Sequence, residues 1–338
     1  DNDNISTDVY TNLIDTVSDN LEPLHQYMEL KKELLNLDEL HIYDTYTPLI
    51  KEIDLKFEYQ ETKEIIKKAL KPLGEDYIQT VEEGFNSGWI DVYENKGKRS
   101  GAYSSGCYGV HPYILMNYTQ DISNLFTLIH EMGHAMHSYY SNQNQPYLYA
   151  DYKIFVAEVA STLNENLLLD YMLENAASRE EKLYLLNYFL EGFRGTVYRQ
   201  TMFAEFEKMI HQSVETGESL TSQAMKTMYR NLNQKYFGEA LVIDEKLDYE
   251  WARIPHFYYN FYVYKYATGY SAAASLAEKI QTEGPEAAAN YLEFLKAGGS
   301  DYPLNILRKA GVDMEKSDAI ENAAAKFNKY LKQLQELV

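Results

Sequence analysis

A single cysteine, Cys107, stands among 338 residues, so no disulfide can form within the chain. A reducing compartment, the cytoplasm, is the simpler expectation. One thiol in a glycine-rich stretch, without a companion motif, carries no catalytic argument. Basic residues are also scarce: 31 Lys and Arg against 51 Asp and Glu leave a formal charge of −20. Phosphate contacts need clustered Lys and Arg, so nucleic acid is excluded as an expected partner. The acidic balance instead keeps a protein dispersed and favours the approach of basic peptides. No apolar run reaches the length of a membrane span, no signal peptide is visible, and no repeat or low-complexity segment appears. Oligomeric state is unconstrained.

What the chain does contain is His130-Glu131-Met132-Gly133-His134, the pattern H-E-x-x-H, inside a stretch with helical periodicity. Ile122, Leu125, Phe126, Ile129, Met132, Met136 and Tyr140 recur at spacings of three and four and make one apolar stripe. Asp121 is the expected N-cap, because its carboxylate can accept from the first free amides. His130, His134 and His137 fall on a different stripe. Residues four apart lie one turn apart on one face, so His130 and His134 can aim two imidazoles at one cation. Glu131 then projects beside that cation, where it can take a proton from an activated water. Gly133 sits mid-helix at a cost of about 1 kcal/mol relative to Ala, which implies that something packs closely on the backbone there.

Two histidines under-coordinate a catalytic zinc, so a third ligand must come from elsewhere. Glu158 is the candidate: a lone carboxylate among small and apolar neighbours, in a second helical pattern over about 153–175. The polar stretch Ser141 to Tyr152 reads as a loop, and an antiparallel return would bring Glu158 level with the histidine pair. Ser161, Thr162 and Glu165 follow on the same side. For Glu165 two readings stand: it orients one histidine through its other ring nitrogen, or it is a surface carboxylate.

H-E-M-G-H-A-M-H at 130–137, followed by F-V-A-E-V-A-S-T at 155–162, resembles the thimet oligopeptidase superfamily of zinc peptidases, and most the oligoendopeptidase F branch. The segment from Arg253 to Gly269 and Gly298-Gly299-Ser300-Asp301-Tyr302-Pro303 carry the same resemblance, which runs along most of the chain. It implies that His130, His134 and Glu158 ligate one Zn2+ and that Glu131 is the general base. It also implies that His256 and nearby tyrosines bind substrate and stabilise the transition state. The His-to-Tyr spacing differs from the thimet pattern, so individual tyrosines do not carry over. If 253–270 is one helix, Tyr259, Tyr262 and Tyr266 share a face, and Tyr258 and Tyr264 point elsewhere. A phenol on that face can donate to an oxyanion, and it can equally fill a helical core.

The expected architecture is mainly α: a helical zincin-type catalytic domain, in one body or two packed parts, with a small antiparallel β-sheet over about 86–118 beside the zinc-binding helix at about 122–141. Val110–Tyr118 is its expected last strand. The glycine-rich stretch from Arg99 to Gly109 either borders the cleft, where a peptide can pair as an added strand, or merely supports the helix. From residue 165 onward only helices are expected. The chain opens on Asp1 within a polar run, and relatives of this kind carry a further helical N-terminal region, so a longer protein is expected. The function that follows is hydrolysis of internal bonds in short unstructured peptides. A zinc hydrolase of a non-peptide amide and a non-catalytic zinc-stabilised helical module are the alternatives.

Overall fold

The computed structural model describes residues 3–50 and 55–338. It comprises two compact units. The first is Asp1–Ser6, Ile53–Ala176 and Gly269–Ala319; the second is Thr7–Glu52, Ala177–Thr268 and Ile320–Val338. Helices α1 (Thr7–Asp19) and α2 (Glu22–Leu34) and strand β1 (Leu40–His41) come first. Then follow α3 (Tyr59–Ala69), α4 (Glu75–Asn86), strands β2 (Ile90–Asp91), β3 (Tyr103–Ser105) and β4 (Tyr113–Leu115), α5 (Ile122–Asn144) and α6 (Ala157–Glu174). Next are α7 (Arg179–Phe193), α8 (Arg199–Glu215), α9 (Ser222–Phe237) and strand β5 (Leu241–Val242). The chain continues with α10 (Tyr264–Glu283), α11 (Pro285–Ala297), α12 (Pro303–Lys309) and α13 (Asp318–Leu337). The fold is mainly α, as expected. None of the described helices is long and apolar enough to cross a membrane.

The sheet of the first unit differs from the expected one. Its strand order is β2-β4-β3, with β3 antiparallel to β4 but β2 parallel to it. A hairpin through the turn after Ser105 accounts for the antiparallel pair. Segment 92–102 is long enough to carry the chain back, so β2 enters on the far side of β4 running in the same direction. The expected last strand at 110–118 is therefore the central one, and only Tyr113–Leu115 belongs to it. Pro112 has no amide to give the ladder, which sets the strand's start. The second unit also departs from the all-helical expectation after residue 165, since β5 pairs in parallel with β1.

Helices α5 and α6 form the centre of the first unit. Asp121 caps α5, accepting from the Asn124 amide at 2.8 Å. The α5 stripe is buried as its periodicity requires: Ile122, Leu125, Phe126, Ile129, Met132 and Met136 are all below 5% exposed. Tyr140 of the same stripe is half-buried and stacks on Tyr77 with ring centroids 6.0 Å apart. Helix α6 is buried around almost its whole circumference, including Ser161, Thr162, Asn164 and Asn166. The pairs in contact run in opposite senses: Ile129 O accepts from Asn164, Gly133 meets Ala160 and Ser161, and His134 meets Glu158. The two helices are thus antiparallel.

Gly133 is the point of closest approach. A Cβ placed there would lie 2.5 Å from Ser161 Cα, 2.7 Å from Ala160 O and 2.8 Å from Ser161 N, all of them backbone atoms that cannot swing aside. The second unit is organised by a buried ion network on its own helices: Lys31 Nζ contacts Glu191 at 2.6 Å and the Thr45 carbonyl at 2.7 Å, and Arg194 contacts Glu191 at 2.7 Å.

In an isolated helix Gly→Ala stabilises by about 1 kcal/mol. Here Gly133→Ala is expected to destabilise by about 1–3 kcal/mol through overpacking against α6. A urea unfolding midpoint that rises in the variant would contradict the backbone contact.

Candidate metal centre

Three ligand-type atoms converge where α5 crosses α6. Nε2 of His130 and Nε2 of His134 are 3.1 Å apart, and each is 3.4 Å from Glu158 Oε2. Corners of a tetrahedron around an ion with bonds of about 2.0–2.1 Å are separated by about 3.3–3.4 Å. The observed triangle fits that edge, and its donor set, two imidazoles and one carboxylate, suits zinc with a fourth position left to solvent or substrate. Among the described residues, His130, His134 and Glu158 are the one group of three or more His, Cys, Asp or Glu side chains arranged to hold a metal ion.

The neighbouring groups prepare these atoms. Nδ1 of His130 faces the carboxylate of Glu165 in a short contact. A carboxylate only accepts, so Nδ1 carries a proton, and Nε2 would offer its lone pair to a cation that displaces the proton it shares with Glu158. Ser161 Oγ lies 3.2 Å from Glu158 Oε2 and steadies it. Burial disfavours the charged form of His130, but Glu158 and Glu165 outweigh it and push its pKa up to about 10. Burial likewise opposes the Glu158 carboxylate, yet hydrogen bonds from both imidazoles hold it well below the usual range. The two shifts are reciprocal: the carboxylates favour a charged imidazole, and the imidazoles favour a charged carboxylate.

Glu131 is 8% exposed, on the same turn of α5 but outside the triangle. Burial raises its pKa, while His130, His134 and the backbone amide of Ser104 pull the other way. Ser104 sits mid-β3, whose other face of pairing goes to Ile114 of β4, so an edge strand supplies the amide. The glycine-rich stretch therefore touches the motif helix directly, and Gly106 packs against Ser138 as well. Neither Ser104 nor its contact had any signal in residue spacing, because a backbone donor can belong to any side chain.

His137, third on the histidine stripe, is not part of the cluster. It is 1% exposed and stacks on Tyr152, ring centroids 3.7 Å apart, with Phe294 of α11 at 5.1 Å. Burial, with some help from His134, pushes its pKa down to about 3.

The His/Tyr segment of the second unit is not one helix. Pro255–Tyr259 forms a 3-10 turn, Asn260 and Phe261 take left-handed φ values of 42° and 55°, and α10 begins at Tyr264. The expected shared face of Tyr259, Tyr262 and Tyr266 is thereby broken: the left-handed pair turns the chain between the first and the other two. Tyr259 is 68% exposed, at the end of the turn. His256, Tyr262 and Tyr266 nevertheless cluster, with ring centroids at 5.8 Å (His256 to Tyr262), 6.0 Å (His256 to Tyr266) and 5.5 Å (Tyr262 to Tyr266). Tyr266 Oη is 3.5 Å from His256 Nε2, at the outer limit of a hydrogen bond. Tyr259 reaches His256 only edge-on at 6.4 Å. Tyr258 points to solvent at 85% exposure and Tyr264 is buried against Tyr10.

A helix presenting H-E-x-x-H against a second helix that returns a glutamate makes a candidate metal site of the kind metallopeptidases use. The sequence matches peptidase family M3 over residues 1–326, and the chain belongs to that family. It is 54% identical to the oligopeptidase PepF of Bacillus subtilis over 337 residues, which is 100% of this chain and 50% of the relative. Chromosomal oligoendopeptidase F of Lactococcus lactis subsp. cremoris is 48% identical over 98% of this chain and 55% of its own length. The crystal structure of oligoendopeptidase-F from Enterococcus faecium superposes with a TM-score of 0.80 at 42% identity, covering 99% of this chain and 54% of that one. The chain thus spans about half the length of these relatives.

The folded pKa of His137 lies below the value of an unfolded histidine, so the unfolded chain binds more protons between about pH 3 and 6.5, and stability is lost as pH is lowered through that window. From pH 6 to pH 5 this residue is expected to remove about 1 kcal/mol. Urea titrations of the parent and of His137→Phe, which keeps the stack on Tyr152, should show a shallower pH slope in the variant; equal slopes would contradict the assignment.

Proposed function

We propose that the protein is a zinc-dependent endopeptidase acting on internal bonds of short, unstructured peptides. The observation that carries this reading is the near-tetrahedral triangle of His130, His134 and Glu158, with Glu131 beside it and free of it. His130, His134 and Glu158 are assigned as ligands of one Zn2+, and Glu165 as the group that orients His130. The bound ion supplies Lewis acidity to a peptide carbonyl and lowers the pKa of water towards about 7.

Glu131 is assigned as general base. Its carboxylate takes the proton of the attacking water and returns it to the departing amine, and burial brings its pKa closer to the working range of such a shuttle. The Ser104 amide keeps the carboxylate turned to one side during both transfers. His256, Tyr262 and Tyr266 are assigned to substrate binding and to the developing negative charge on the carbonyl oxygen, since an N–H and two phenols are suitable donors. Tyr259, exposed and peripheral to that cluster, is assigned to substrate contact alone.

The printed name oligoendopeptidase F, carried by relatives and by a solved structure, supports oligopeptides as the substrate class. Strand β3 is an edge strand, so a peptide adding to it would bind by backbone pairing with little dependence on sequence. One exposed cysteine and no possible internal disulfide support a cytoplasmic location.

Glu131→Gln is expected to retain one zinc per chain by metal analysis while losing about 10²–10⁴-fold in turnover of a short peptide; a zinc-loaded variant with parental turnover would overturn the assignment. Glu165→Gln should weaken zinc affinity by about 10–100-fold in a competition titration, and unchanged affinity would reduce Glu165 to a surface carboxylate. Mass spectrometry of digests should find cleavage within short peptides and little action on a stable folded protein.

A further inference from the structure

Asn260 and Phe261 are two consecutive left-handed residues, neither of them glycine. Such a pair persists only where something outside the segment holds it. Helix α8 supplies the hold. Glu207 is 0% exposed, and its Oε1 accepts the Phe261 amide at 2.7 Å. Its other oxygen, Oε2, has no hydrogen-bond partner among the described residues. A carboxyl group buried this deeply costs more than an amide or an aliphatic side chain of the same size would, so packing alone does not explain it. The rest of the turn is pinned by rings: Phe261 meets Tyr10 edge-on at 5.4 Å and His211 of α8 at 4.6 Å. Burial raises the Glu207 pKa, and the Phe261 amide and His211 oppose that rise. Tyr262 follows the turn by one residue, and Tyr266 lies in the first turn of α10 beyond it.

We propose that Glu207 is a positioning residue for the His256, Tyr262 and Tyr266 cluster: by gripping the Phe261 amide it fixes the left-handed turn and hence the direction in which Tyr262 and α10 leave it. The functional half of this inference rests on the assignment of that cluster to substrate. The grip on the turn is a property of the fold and is measured separately.

The test compares Glu207→Leu, Glu207→Asp and Glu207→Gln in the zinc-loaded protein. Amide hydrogen exchange over residues 257–264 reports the turn, and kcat and KM on a short peptide report its consequence. Leu removes the acceptor and Asp withdraws it by one methylene, so both should lose at least tenfold in protection of this segment and at least tenfold in kcat, with zinc content unchanged. Gln retains a carbonyl for the amide and should stay close to the parent in both. If the Leu variant does not fold, the Asp variant carries the comparison. Unchanged protection in the Asp variant overturns the grip, and so does a Gln variant as impaired as the Asp one. Lost protection with parental kcat overturns the positioning role. Tyr262→Phe and His256→Ala serve as controls: parental kcat in both would overturn the assignment of the cluster, while the exchange result would still decide whether Glu207 holds the turn.

Discussion

The backbone contact at Gly133 is the constraint on which the candidate metal centre depends. Imidazole and carboxylate side chains are short, and three of them reach one ion only if the helices that carry them nearly touch. With no Cβ at residue 133, α6 lies close enough for Ala160 and Ser161 to rest on the α5 backbone. Glu158, three residues before Ser161, then falls 3.4 Å from both imidazoles. Any larger residue at 133 would move Glu158 outward with its helix. The glycine is unfavourable in the helix for the same reason that it is useful: it leaves backbone uncovered.

Electrostatics completes what the close crossing begins. Glu158 and Glu165 approach His130 from its two ring nitrogens, a field that favours positive charge at the centre. Glu131 has a different environment although it adjoins His130 in sequence: it is more buried than Glu158 and receives a strand amide. The two glutamates thus stand in different electrostatic settings, one held ionised and one with its proton affinity raised, and the difference comes from surroundings.

Much of this was legible in the residues. The α5 stripe, the Asp121 cap and the placement of His130 and His134 follow from 3.6-residue periodicity, which depends on local backbone geometry alone. Glu158 stood out because an isolated carboxylate among small apolar residues needs a partner. The sheet was less legible. Strands of two or three residues carry little alternation, and whether β2 runs parallel or antiparallel to β4 depends on the path of segment 92–102. The His/Tyr segment misled for a related reason. Its tyrosines are compatible with a helix at every spacing, and the left-handed pair that interrupts it involves asparagine and phenylalanine. Phenylalanine gives no warning of such a conformation.

The sequence by itself determined which side chains share a helix face and that His130, Glu131 and His134 lie together on one helix, with a single cysteine in the chain. Those properties depend on neighbours within a turn or two. The tertiary structure decided the rest: that Glu165 meets His130, that Ser104 turns Glu131, that His137 is buried on Tyr152, and that Glu207 seizes the amide of Phe261. Each of these joins residues distant in the chain through packing, and packing depends on the whole set of neighbouring surfaces rather than on any spacing that a linear sequence displays.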